Sequence, residues 1–104
     1  MQFKDLNDRA VAIRTKYAEF EKARYGREWS REELMLGFLK DIGDLAQLVQ
    51  AKEGVRRVED VDTKLAHELS DCLWSVMILA DKYGVDLETA FVKTMDELDN
   101  HLED

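Results

Sequence analysis

Gly37-Phe38-Leu39-Lys40-Asp41-Ile42-Gly43-Asp44-Leu45-Ala46 and Leu65-Ala66-His67-Glu68-Leu69-Ser70-Asp71-Cys72-Leu73-Trp74 are apolar runs that each carry two carboxylates three residues apart. Both read as helices with broad apolar faces. Three residues along a helix turn the chain by about 300° and advance it about 4.5 Å, so each acid pair lies on one face, one turn apart. Acids at this spacing are common on solvated faces. Here, however, the neighbours are mostly Leu, Ile, Phe, Ala and Trp, and both pairs sit mid-helix, where capping does not explain them. Four such acids on helices fit for burial repel one another unless a cation lies between them.

Around these two runs the chain divides into four helices. The first is expected from about Lys4 to Ala23, with Leu6, Ala10, Ile13, Tyr17 and Phe20 as its apolar stripe and Gly26 as its stop. Ser30-Arg31-Glu32-Glu33 is a capping box that opens the second helix, which runs to Lys52 or Glu53 before Gly54. Gly37 and Gly43 cost that helix about 1 kcal/mol each against Ala, which suggests close approach of a backbone or ligand on their face. The third helix is expected from Asp62 or Thr63 to Gly84. Asp86 caps the fourth, whose last residues, Asn100 to Asp104, should fray. The second and third helices are apolar around most of their circumference and are expected to be central. Antiparallel neighbours on a short loop would set Asp41/Asp44 opposite Glu68/Asp71.

The composition agrees with this reading. The chain of 104 residues has no proline and five glycines, is 45% hydrophobic and 37% charged, and lacks strand-like alternation. It is expected to form one all-α domain over residues 1–104. Its apolar surface exceeds what four lone helices cover, so a homodimer or homotetramer through the central helices follows. A net charge of −8 argues against a nucleic acid polymer or an anionic membrane as partner. No apolar run approaches the ~20 residues of a membrane span. A single cysteine, Cys72, and no recognisable leader fit a cytoplasmic location.

The nature of the cation follows from the donors. They are all oxygen, with no Cys or His at ligand spacing, which disfavours zinc; neither pair is the Glu-x-x-His of a di-iron bundle. Mg²⁺, or Mn²⁺, is the match, and Mg²⁺ commonly binds substrate phosphates, pointing to hydrolysis at phosphorus.

These residues resemble the MazG-like all-α nucleotide pyrophosphohydrolases. That family carries E-E-x-x-E on one helix and E-x-x-D on the next. Lys40-Asp41-Ile42-Gly43-Asp44 stands in place of the first, Glu68-Leu69-Ser70-Asp71 matches the second, and 23 residues separate Asp44 from Glu68. The resemblance extends through Trp29-Ser30 and from Ala80 to Ala90, and it implies a four-helix MazG-like bundle. It also implies Mg²⁺-dependent hydrolysis of a nucleoside triphosphate to the monophosphate and pyrophosphate, as in housecleaning of surplus or non-standard nucleotides. Asp41, Asp44, Glu68 and Asp71 would hold the metal, and one carboxylate would orient or deprotonate the attacking water. The departures are Lys40 in place of the first acid and two shorter Asp residues in place of Glu. Lys40 favours the alternative of a catalytically weak helical module with a regulatory or protein-binding role, and retention of all four acids opposes it.

Trp29 is a candidate for stacking on a base. Lys40, Lys64 and Lys93 are candidates for contacting substrate. His67, beside Glu68, is expected to point elsewhere on the helix and reads as structural, and Cys72 reads as a small buried apolar residue.

Overall fold

The computed structural model describes residues 1–103. Its four helices are α1 (Phe3–Tyr25), α2 (Arg31–Lys52), α3 (Val61–Lys82) and α4 (Leu87–Glu103), with no strand among the described residues. The all-α, four-helix expectation holds.

Local chemistry sets the boundaries. Gly26, at φ 83°, stops α1 and donates its N–H to Lys22 O at 2.9 Å. The capping box forms as expected: the Glu33 N–H reaches Ser30 Oγ at 3.2 Å, and the Ser30 N–H reaches Glu33 Oε1 at 3.0 Å. Arg27 reinforces it with a fork onto both Glu33 oxygens, at 2.5 and 3.0 Å. The Arg27 guanidinium, followed by the Ser30 N–H, holds the Glu33 carboxyl down at about 2. Asp60 enters α3 in the left-handed conformation, φ 53°, which a short polar side chain tolerates and which the sequence pattern did not reveal. Asp86 Oδ1 accepts the Thr89 N–H at 3.1 Å and so caps α4. Contrary to the expected fraying, α4 stays helical from Asn100 through Glu103; Asp104 lies outside the described residues.

Packing is less central than the sequence suggests. α2 and α3 form the main contact and α1 lies on α3, while α4 packs only sparsely on the others. Trp74 fastens α3 to α1, donating Nε1–H to Ala10 O at 3.0 Å and leaning on the Tyr17 ring at a centroid separation of 5.8 Å. Among the described residues, the buried apolar ones are Ala18, Leu48, Met77 and Ile78 alone. Leu36, Leu39, Leu69 and Leu73, on these two helices, are exposed. The radius of gyration is 16.7 Å, against about 13 Å for a compact chain of this length.

The buried face of α1 also differs from its apolar stripe. Arg14, Ala18 and Glu21 turn inward, while Tyr17 and Phe20 remain about half exposed. The cause is ionic: Arg14 Nη2 donates to Glu21 Oε1 two turns further on, so the two charges can be buried together. The helical glycines show no crowding within the chain. A Cβ on Gly37 would meet Trp29 at an ordinary 4.0 Å, and one on Gly43 would meet nothing.

Candidate metal centre

α2 and α3 bring three of the four expected acids together. Asp41, Asp44 and Glu68 each offer one carboxylate oxygen, and these oxygens lie within 4.8 Å of one another. All three side chains are half-buried. Glu68 Oε2 is sealed from solvent and has no hydrogen-bond partner. A buried anionic oxygen left unmatched is costly unless something cationic completes it. Burial pushes the Glu68 carboxyl above its ordinary value, and the charges of Asp41, Asp71 and Asp44 push it further. Asp41 is raised in the same way, by burial first and then by Asp71. The donor set is hard oxygen in a field that disfavours its own charge, which fits Mg²⁺ or Mn²⁺.

Asp71 stands beside this triplet rather than in it. Its Oδ2 lies 3.1 Å from His67 Nε2. His67 is therefore placed at the edge of the acids, and the expectation that it points elsewhere is corrected. The signal was available in the i, i+4 spacing of His67 and Asp71, which sets them one above the other on a helix. Cys72, half-buried rather than fully buried, has its thiol pushed up by burial and by Asp41, Glu68 and Asp71. It is thus kept from thiolate character.

The acids border two clefts. One, of about 570 Å³, has Lys40, Asp41, His67, Asp71 and Trp29 among its lining residues. The other, of about 430 Å³, is lined by Asp44, Glu68 and Lys64, with His67 again. Of the residues expected at substrate, Trp29, Lys40 and Lys64 are on these walls. Lys93 is not: it sits on α4 with Nζ 3.9 Å from Glu97, and its own chain does not bring it to either cleft. Lys40 Nζ lies 3.0 Å from Asp44 Oδ2, and this hydrogen bond raises its pKa, with lesser help from the charges of Asp41 and Glu68. The sequence reading missed the contribution of α1 to the larger cleft, through Arg14, Tyr17, Phe20 and Glu21.

The MazG nucleotide pyrophosphohydrolase domain model matches residues 30–101, the greater part of the chain. The chain belongs to the MazG family. The match takes in α2, α3 and nearly all of α4 together with all four acids, while α1 lies before it. No curated protein and no solved structure matches the chain. No described helix of this MazG chain is long and apolar enough to cross a membrane.

Proposed function

We propose that the chain hydrolyses a nucleoside triphosphate to its monophosphate and pyrophosphate, with Asp41, Asp44 and Glu68 holding Mg²⁺ and Asp71 standing beside them. The observation that carries this reading is the convergence of three carboxylates from α2 and α3, with Glu68 Oε2 buried and unpartnered, in a chain of the MazG family. When bound, the metal supplies positive charge for the phosphate oxygens and acidifies water. The chain's residues do the rest. The triplet fixes where that charge sits, and Asp71, oriented by His67, takes a proton from the attacking water. Lys40 and Lys64 reach phosphate oxygens from the two cleft walls, and Trp29 offers a face to the base.

The active form is a homodimer or homotetramer. Leu36 of α2 and Leu73 of α3 are 66% and 54% exposed, and Phe91 of the sparsely packed α4 is 60% exposed. Apolar surface of this extent on a soluble chain calls for a second copy to cover it.

Pyrophosphate release from a panel of standard and modified nucleoside triphosphates with Mg²⁺ tests the activity, repeated with Glu68→Ala. Turnover that Glu68→Ala abolishes supports the site; turnover that survives it removes the site. The Lys40 to Asp44 contact, which places a cation of the chain's own among the ligands, favours a second reading: a catalytically weak helical module. That reading predicts metal binding by calorimetry without turnover of any nucleotide.

A further inference from the structure

The larger cleft carries a second polar feature, far from phosphate chemistry in its electrostatics. Arg14 and Glu21 line it, and their side chains are 9% and 5% exposed. A guanidinium has five N–H donors. Within the chain one of Arg14's contacts is satisfied, by Glu21, and its Nε is buried without any partner. Glu21 Oε1 accepts both from Arg14 and from the Trp29 N–H at 2.9 Å, so its other oxygen remains as a free acceptor. The pair is neutral as a unit and has little pull on a polyanion. What it offers is a donor and an acceptor side by side in an apolar wall of Tyr17, Phe20, Tyr25, Trp29 and Trp74. The same cleft reaches Lys40, Asp41 and Asp71.

We infer that the α1 wall of this cleft is a base-reading subsite, in which Arg14 donates to, and Glu21 accepts from, the edge of a nucleobase held among aromatic side chains. This rests on the reading of the chain as a nucleotide hydrolase. A flat heteroaromatic ring with a donor and an acceptor on one edge matches the pair, and its faces match the tryptophans and tyrosines. Glu21 also holds the Trp29 backbone, so the edge reader and one stacking wall move as one. Because α1 precedes the residues matched by the family model, base choice would be a property of this chain's own first helix.

The test uses nucleosides, which carry no phosphate and need no metal, so it is independent of hydrolysis. The protein's two tryptophans, Trp29 and Trp74, both line the cleft and report binding by fluorescence. Adenosine, guanosine, cytidine and uridine are titrated into the wild type and into Arg14→Met/Glu21→Met. The double change replaces both charges with apolar groups, which buried pairs often tolerate, and its folding is checked by circular dichroism. The expected result is saturable quenching in the wild type, with best and worst bases differing by roughly 10-fold or more, and collapse of that difference in the variant. No quenching by any nucleoside, or a difference that persists in the folded variant, overturns the subsite. If the double variant does not fold, Glu21→Gln decides, because exchanging an acceptor for a donor must reorder the bases. An unchanged order overturns the proposal. Base selectivity without pyrophosphate release would leave the subsite standing and remove the catalytic reading.

Discussion

Lys40 Nζ lies 3.0 Å from Asp44 Oδ2, one turn away on the same face of α2, and so brings a positive charge to the acids that share Glu68's surroundings. The lysine's own titration reflects this: Asp44 raises it most, and Asp41 and Glu68 contribute. The ammonium therefore offsets part of the repulsion that a metal would otherwise relieve alone.

Removing that ammonium should strengthen metal binding. Lys40→Met keeps the aliphatic stem and deletes the charge, leaving Asp44 free to turn wholly to the cation. The gain should be a few-fold rather than orders of magnitude, since Lys40 is 77% exposed and its attraction is largely screened. Calorimetric titration with Mg²⁺ and Mn²⁺ measures it; equal or weaker binding by the variant would show that Lys40 takes no part in the cluster's charge balance.

Glu68 should be the most sensitive of the ligands. Its Oε2 is buried and unpartnered, and its carboxyl is already raised by burial and by three neighbouring acids. Glu68→Gln keeps the shape and removes one negative charge. Two opposite effects are expected from one substitution: Mg²⁺ affinity falls at least about 10-fold, on the scale of lost metal-site partners, while the metal-free protein melts at a higher temperature. Calorimetry and a thermal melt in chelator measure the two. A lower melting temperature would show that the carboxylate is satisfied in a way its geometry does not reveal.

How far the sequence foretold this arrangement depended on the range of the forces involved. Helix ends were legible because a cap is a local matter: Ser30 with Glu33, Gly26 and Asp86 act within a few residues of themselves. The convergence of Asp41, Asp44 and Glu68 was legible because periodicity and a short loop fix which faces meet. The role of α1 was not. Its apolar stripe pointed to Tyr17 and Phe20, and only the pairing of Arg14 with Glu21 across two turns makes the opposite choice favourable. The position of Lys93 away from both clefts was hidden for a related reason, since nothing local says that α4 stands off from the other helices.

Exposed leucines on α2 and α3 give a prediction about assembly. If Leu36 and Leu73 lie against another copy, charges there should separate the copies without unfolding each chain's helices. Leu36→Glu and Leu73→Lys are expected to shift the protein to monomer, read by light scattering on a sizing column, with helical content kept by circular dichroism. Each buried leucine so replaced would forfeit about 1.5–3 kcal/mol of apolar burial at the interface. An unchanged mass in both variants would move the interface to another face.

The Arg27 to Glu33 fork gives a prediction in pH. Glu33 ordinarily titrates at 4.5 and is held at about 2 in the folded chain, by Arg27 first and the Ser30 N–H next. A carboxyl depressed by folding binds fewer protons folded than unfolded, so stability rises with pH across the window between the two values. Its contribution is present in full above 4.5 and is lost as pH falls toward 2. Glu33→Gln removes the linkage while keeping an acceptor for the cap. Wild type should therefore melt above Glu33→Gln near neutral pH, by a small margin because the pair is exposed, and the two should converge as the solution is acidified through this window. Parallel melting curves across the whole range would mean that the guanidinium fork does not persist in solution.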